Sequence, residues 1–325
     1  MHKKVNLNFA LGIALLALYG VQVTSMAQTT TVTLMGFPGT EKTAVEIQTI
    51  LADYGVEVVL YRCEEVLSFE MLQAITPEID FLLVGTFTSE YLQITQKLLG
   101  VLSQMGGGAV GVGAMHKIHI VTIPATGIRS LADLDDENHA PRTSTGPEQS
   151  VHDAHAHDVF RAEKLYNVLN LHQHNELPSQ PDFLLSHVLD AFFETAKVPS
   201  PHVAKVADRN KLILVAIPHN TVTRMNALKD EGEAPYIPTE IYLSAYEEEA
   251  SGSVETAGVT EIVAATGRPS EQLVELVAEV LISKALMDVI DLVKALQWLK
   301  DQKIPIHSVA EPIIERFLEE HAWQN

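Results

Sequence analysis

The amino-acid sequence predicts an α/β fold of two lobes joined by a hinge. Three observations carry that expectation. Strand-like apolar runs alternate with helix-like runs from Thr31 onward, a second α/β stretch occupies about 126–250, and a third part returns to strand then helix after it. A chain that builds half a domain, inserts another and comes back makes two lobes with a hinge between them. Its 325 residues suffice for one large or two ordinary α/β domains with real cores. The expected boundaries are 28–124 for the first part of one lobe, 125–252 for the other, and 253–325 for the return segment and C-terminal helices of the first.

Residues 1–27 stand apart. Lys3 and Lys4 precede an apolar run from Phe9 to Val21, and Ser25-Met26-Ala27 places small residues at the −3 and −1 positions of a cut before Gln28. That is the pattern of a cleavable signal peptide. The run, at about 13 residues, is shorter than the ~18–20 needed to cross a bilayer. The expected location is therefore periplasmic, with the cut after Ala27.

In the first lobe "TVTLMGF" runs into "TAVEIQTILADYG", "VEVVLYRC" into "SFEMLQAI", and "IDFLLVGTF" into "SEYLQITQKLLGVLS". Such alternation suits a parallel sheet wrapped by helices. The glycines of "GGGAVGVGA" suggest a flexible connection to the strand "HKIHIVTIP", and in "TGIRSLADL" Ser130 and Asp133 have capping-box spacing. The second lobe should hold a His-rich helix over 150–170, the strand at "DAFF", a short helix capped by Ser200 with Pro201 in its first turn, and the strand "KLILVAIP". The return begins with "GVTEIVAAT", after which Pro269-Ser270 opens one long helix, apolar on more than one face and so expected to be buried. No repeat of 20–50 residues is visible, which disfavours a solenoid.

A formal net charge of −20 argues against nucleic acid or an anionic membrane surface as partner. The single cysteine, Cys63, can form no internal disulfide and lies too far from the cut to carry a lipid, so stability must come from packing. Its default role is that of a small buried apolar side chain.

Several loops could carry chemistry. "GFPGTEKT" (36–43) follows a strand and opens a helix, but Glu41 stands where a phosphate-binding loop needs its second glycine, which opposes a nucleotide. What survives is a glycine turn at a helix start, either a ligand site or a plain tight turn. Seven histidines, His139, His152, His155, His157, His172, His174 and His187, supply half of the fourteen. On a helix His152 and His155 share one face, and Asp153 and His157 another. Read as metal ligands, His152, His155 and His157 would make a zinc-binding receptor; read blandly they are a solvated face, since no H-E-x-x-H or paired C-x-x-C completes a site. In "PRTSTGPEQS" (141–150) Thr143, Ser144, Thr145 and Gly146 offer hydroxyls and amides to a carboxylate, while Thr145 and Glu148 have capping-box spacing that would satisfy the helix start internally. No G-x-S-x-G occurs and no nucleophile can be named, which leaves a hydrolase without support. The last candidate is the polar bend Glu194, Thr195, Lys197 at the carboxyl end of the "DAFF" strand.

That bend carries a resemblance. "LDAFFETAKVPSPHVAKVA" is similar to the "iDAff-x-x-G-x-P" segment of the TAXI family, the solute receptors of tripartite periplasmic (TRAP) transporters. "SFEMLQAITPEIDFLLV", "GIRSLADL", "APYIPTEIY", "GSVETAGVTEIVAAT" and "IPIHSVAEPII" resemble further segments of the family in the same order, over about 65–315. The chain departs from the family where "GFPGTEKT" replaces a loop with a tyrosine pair, where Met71 replaces an asparagine, and where "TSTGPEQS" is only loosely "GSGT".

The resemblance implies a two-lobe type II periplasmic binding-protein fold that closes on a solute, no enzymatic activity, no cofactor, and the membrane subunits of a TRAP transporter as partners. Ligands of open α/β sheets bind beyond the carboxyl ends of strands. Gly36, Phe37, Gly39, Thr40, Glu41, Ser68, Thr86, Thr143, Ser144, Thr145, Gly146, Glu194 and Thr195 all have such places, with Glu41 and Glu194 as partners for an amino group. The expected ligand is a small polar solute, amino acid or carboxylate-like. A sensor or adaptor that kept the fold and lost its cargo is the other reading.

Overall fold

The computed structural model describes residues 30–36, 39–62, 78–136, 141–230 and 233–322. The expected signal peptide, 1–27, and Phe37, Cys63, Ser68, Met71 and His139 lie outside the described residues. Among the described residues no helix is long and apolar enough to cross a membrane.

The chain begins with β1 (Thr30–Gly36), α1 (Glu41–Ala52), β2 (Val56–Arg62), β3 (Phe81–Gly85) and α2 (Ser89–Gln104). A long strand, β4 (Gly108–Thr122), leads to β5 (Thr143–Ser144), α3 (Val151–Glu163), α4 (Tyr166–Leu171) and α5 (Gln180–Leu185). Next come β6 (Ala191–Ala196), α6 (Pro201–Ala207), β7 (Ile213–Leu214), α7 (His219–Ala227) and β8 (Ile237–Tyr242). A second long strand, β9 (Ser253–Ala265), precedes α8 (Glu271–Ser283), α9 (Val289–Asp301) and α10 (Glu311–Glu320).

These strands form one mixed sheet in the order β2-β1-β3-β9-β4-β6-β5, with β7 on β4 and β8 on β9. Among the described strands the β1–β2, β1–β3 and β5–β6 pairs are parallel, and the pairs that β4 or β9 makes with another strand are antiparallel. Strand–helix alternation predicted the parallel part. The long strands escaped it because each follows a helix like any other strand, yet they pair with each other from Gly108↔Ala265 to Lys117↔Gly258. Along this ladder the apolar core changes. Residues up to Met115 on β4 and from Ile262 on β9 pack with β1–β3 and α8–α10, whereas Ile118 and Val259 belong to a separate cluster with α3, β6 and α7.

Local signals explain most boundaries. Ser130 and Asp133 form the expected capping box, and Ser200 Oγ accepts from the amides of His202 and Val203, with Pro201 at the first helical position. The helix over 150–170 is two helices, α3 and α4, divided at Lys164 with φ 59°. Its cap is Ser150, whose hydroxyl accepts from the Asp153 amide, and not Thr145 with Glu148. "GGGAVGVGA" is not a connection but the buried start of β4: a Cβ on Gly108 would lie 2.8 Å from the His307 amide nitrogen, and its φ of +145° suits only glycine. The single C-terminal helix is also two, because the Asp288 side chain accepts from the Asp291 amide at 2.9 Å and starts α9. Breaking the rod lets α8 and α9 each turn their own apolar stripe into one core.

One buried ion pair ties the two regions together. Lys117 on β4 lies 2.5 Å from Asp291 on α9 and donates to the Glu240 carbonyl of β8, while the Thr239 hydroxyl of β8 donates to Asp291. Burial pushes the Asp291 carboxyl up against the pull of Lys117. Removing one partner leaves the other charge buried without compensation. Asp291→Ala is expected to lower the unfolding free energy by about 3–5 kcal/mol, and Lys117→Met combined with Asp291→Leu should recover part of it, both read from urea unfolding.

Candidate functional site

Where β6 ends, its polar bend turns inward. Thr195 is joined to two histidines of α3: its amide donates to His152 Nδ1 at 3.0 Å, and its hydroxyl lies 2.8 Å from His155 Nδ1. The other nitrogen of His155, Nε2, bonds the carbonyl of Phe87, in the loop between β3 and α2. A carbonyl only accepts, so the His155 proton sits on Nε2, and Nδ1 accepts from the Thr195 hydroxyl. His155 is completely buried, and burial lowers its pKa to about 4, which keeps the ring neutral. His152 must likewise hold its proton on Nε2, since Nδ1 accepts from Thr195. Burial lowers its pKa as well, and among the described residues Nε2–H has no hydrogen-bond partner.

The neighbouring loops meet at this junction. A Cβ on Gly39, φ +89°, would lie 3.1 Å from the Phe87 ring, so the turn after β1 rests on the loop after β3. The Phe87 ring stands edge-on to His116 at 5.1 Å, and His116 Nε2 lies 3.0 Å from the buried carboxylate of Glu261 on β9. Farther out, Lys197 reaches across to Glu46 of α1 at 2.6 Å. Gly39, the Thr86–Thr88 loop and the Glu194–Lys197 bend are thus brought near one another, through Phe87 against Gly39 and His155, and through Lys197 against α1.

Within that group the individual side chains do different work. Thr86 is buried, and its amide and hydroxyl both bond the Thr260 carbonyl, which fixes β3 against β9. Thr40 is buried beside Gly36, where an added Cβ would lie 3.1 Å from its hydroxyl. Glu41 accepts from the Gly39 amide at 3.1 Å and pairs with Arg62 at 3.2 Å. Glu194 is buried and accepts from Ser200 Oγ at 2.7 Å and His202 Nδ1 at 2.8 Å. Burial alone would raise its pKa, but these bonds and nearby His119 hold it below the usual carboxylate range. Every oxygen of Glu41 and Glu194 thus already has one partner within the chain.

Behind Glu194 runs a chain of buried polar groups. His119 Nδ1 donates to the Lys117 carbonyl, so Nε2 accepts from the Tyr246 hydroxyl at 2.7 Å, and that hydroxyl oxygen accepts from the Ser200 amide at 2.9 Å. Burial lowers the His119 pKa to about 4 and raises that of Tyr246.

The threonine-rich loop lies to one side. Ser144 Oγ accepts from Gln180 at 2.9 Å and Asn175 at 3.2 Å, and Thr145 Oγ1 donates to Asp153 at 2.6 Å. Gly146, φ +92°, abuts the base of His152: a Cβ there would lie 3.0 Å from the His152 Cβ. The Thr145 hydroxyl thus braces α3 through Asp153, while that of Ser144 ties β5 to Asn175 and Gln180. Thr143 Oγ1 is buried, with no partner among the described residues. The histidine faces are as the spacing predicts, but His152 and His155 join Thr195, while His157 lies with Asp153 on the other face. Sequence reasoning missed Phe87 and His116, whose roles come from pairings with residues 68 and 145 positions away.

Comparison with known proteins follows this geometry. Residues 109–312 match the model of the NMT1-like family. A TctC solute-binding protein from Polaromonas superposes with a TM-score of 0.50 at 10% identity, over 92% of this chain and 97% of that one. Lactococcal OpuAC, closed on glycine betaine, gives 0.43 at 13% identity over 91% and 97%. The substrate-binding domain of a putative molybdenum ABC transporter from Clostridium difficile gives 0.45 at 10% identity over 85% and 99%. Among curated proteins none matches the chain. The α/β fold, a curled mixed sheet with helices on it, is that of periplasmic solute-binding proteins.

The neutral rings of His119 and His155 set a pH dependence. Their folded pKa values of about 4 lie below the ordinary 6.5, so between these values the unfolded chain binds protons that the folded one does not. Stability is therefore unaffected by them above pH 6.5 and falls as pH drops toward 4. At pH 5 the expected loss is about 2 kcal/mol for each ring. Urea unfolding at pH 7 and pH 5 measures it, and a flat profile would contradict the buried neutral state.

Proposed function

Because the chain belongs to the NMT1-like family, we propose that it is a solute-binding receptor, which takes a small carboxylate-bearing solute into the crevice and delivers it to the membrane subunits of a TRAP-type secondary transporter. It performs no chemistry on the solute and needs no cofactor. The observation that carries this reading is the junction of Thr195, His152, His155 and the Phe87 carbonyl, where β6, α3 and the loop after β3 meet and the Nε2–H of His152 has no acceptor among the described residues. The His152 ring is half-buried, so its Nε2–H is free to donate to a ligand or to water. With Lys197 at the rim, the donors favour an anionic oxygen over an ammonium group.

In this reading the lobes are 28–124 with 253–325, and 125–252, and they rock on β4 and β9. The core changes partway along both strands, and the contacts His155 to Phe87 and Lys197 to Glu46 are those that opening would break. A ligand shifts that equilibrium only through contacts it makes better in the closed form. The ordered likeness to TAXI-family segments supports the transporter class, and the signal-peptide pattern of residues 1–27 supports export to the periplasm.

Native mass spectrometry of freshly purified protein looks for a retained small molecule, and calorimetry with glutamate, a C4 dicarboxylate and ornithine tests the class. Binding of a carboxylate is expected, weakened at least tenfold in His152→Ala; tight binding of ornithine alone, or equal affinity in the variant, would overturn the reading.

A further inference from the structure

The second face of α3 holds a different constellation. Asp153 Oδ1 lies 3.5 Å from His157 Nε2, 3.8 Å from His172 Nε2 and 3.6 Å from His174 Nδ1, and the two Nε2 atoms of His157 and His172 are 3.1 Å apart. Asp153 and His157 are four apart on the helix, one turn of a single face. His172 and His174 are two apart on an extended segment: the Gln173 amide donates to the Thr143 carbonyl, and the Thr145 amide to the Gln173 carbonyl. Alternation along such a segment turns both histidines to the same side.

We propose that Asp153, His157, His172 and His174 form a binding site for a divalent zinc-class cation, held by one carboxylate and three imidazoles. Four-coordinate zinc with bonds of 2.0–2.1 Å sets its ligand atoms about 3.3 Å apart. The four distances above are within about half an ångström of that figure; Asp153, His172 and His174 offer atoms that all lie within 4.8 Å of one another, and His157 joins them through Asp153 and His172. The donors are also oriented as metal ligands are. His172 Nδ1 donates to the carbonyls of Leu169 at 2.9 Å and Val168 at 3.2 Å, which leaves the Nε2 lone pair aimed at the other three groups. Asp153 is fixed by the Thr145 hydroxyl at 2.6 Å on one oxygen and by the Gln149 amide at 3.3 Å on the other.

The packing of the rings points the same way. His157 and His172 meet edge to face at 4.8 Å, and His172 and His174 at 4.9 Å. Facing ring nitrogens 3.1 Å apart share at most one proton without repulsion, whereas a cation satisfies every lone pair at once. A cleft of about 290 Å³, lined by Asp153, His157 and Lys229, supplies an entry path. All four donors lie within 153–174, so the site is complete without closure of the crevice. The cation is accordingly resident, clamping α3 to the segment that follows α4, and not the transported solute.

The test uses the full chain purified without a polyhistidine tag, stripped with a chelator and titrated with zinc(II) and cobalt(II). One equivalent per chain is expected, with the visible absorption of four-coordinate cobalt and a melting temperature that rises with zinc. His157→Ala with His172→Ala should weaken uptake at least tenfold and abolish the thermal shift, while His321→Ala leaves both unchanged. Should the double variant fail to fold, His174→Ala at the exposed edge of the cluster gives the same reading. Absence of saturable uptake by the unaltered chain, or undiminished uptake in the variants, would overturn the site.

Discussion

One antiparallel ladder, β4 against β9, runs through two hydrophobic cores, and the rest of the structure depends on how it passes from one to the other. At the crossing the ladder stays buried but turns polar, with Lys117, Thr260 and Glu261 all covered. The chain places polar groups there and satisfies them from within the ladder. Glu261, fully buried, accepts from the Ala114 amide at 3.1 Å and from His116 at 3.0 Å, and the ladder slips register between Val112 and Met115 beside it. One step farther, Lys117 meets Asp291. Buried charges of this kind add little net stability over an apolar replacement, but a misregistered ladder would leave each of them unpaired. They therefore penalise slippage more strongly than interchangeable Val and Ile side chains can.

The crossing also explains why a polar crevice forms where it does. Phe87 lies just past β3, next to the ladder, with His116 of β4 against its ring and Gly39 against its edge. From the other core β6 pairs with the distal half of β4, Ile118 opposite Thr195 and His119 opposite Glu194, so the bend after β6 is set down beside the same crossing. The relay from His119 through Tyr246 and Ser200 to Glu194 and His202 then supports that bend from behind. Networks in a low-dielectric interior rigidify what they connect when every member is satisfied. Thr195 is thereby held with its amide and hydroxyl aimed at α3.

How much of this the sequence disclosed follows from the range of each interaction. Caps and first turns depend on residues two or three apart, so Ser130 with Asp133 and Ser200 with Pro201 were legible. Periodicity gave the helix faces, including the separation of His152 and His155 from Asp153 and His157. Partners were not legible, because Thr195 meets His155 across 40 positions, and Phe87 meets it across 68. The glycines of β4 misled for the same reason. Their cause is close packing, of His307 on Gly108, Leu281 on Gly111 and Glu261 on Gly113, and not a need for flexibility. Competition between two local signals accounts for the cap of α3: Thr145 and Glu148 have the right spacing, but Thr145 turns to Asp153, and Ser150 is left to cap.

That competition bears on function. Had Thr145 capped the helix, α3 would begin earlier, and its first turn would point along the loop. With Ser150 as cap, Asp153 accepts from Thr145 and Gln149, so the loop over 143–146 is fastened to the side of the helix. The amides at the start of α3 are then partly satisfied by Ser150, which weakens the helix terminus as an anion site. In the proposed receptor, recognition would accordingly fall to side-chain donors, His152 above all, and their placement is only as firm as the helix that carries them. That helix buries Ala156, Val159, Phe160 and Ala162 in the core, and the polar groups on its flanks add direction to that anchorage. Its position is fixed from two directions: on one face by the bonds to Thr195 and Phe87, and on the other by the carboxylate and imidazoles that gather around Asp153.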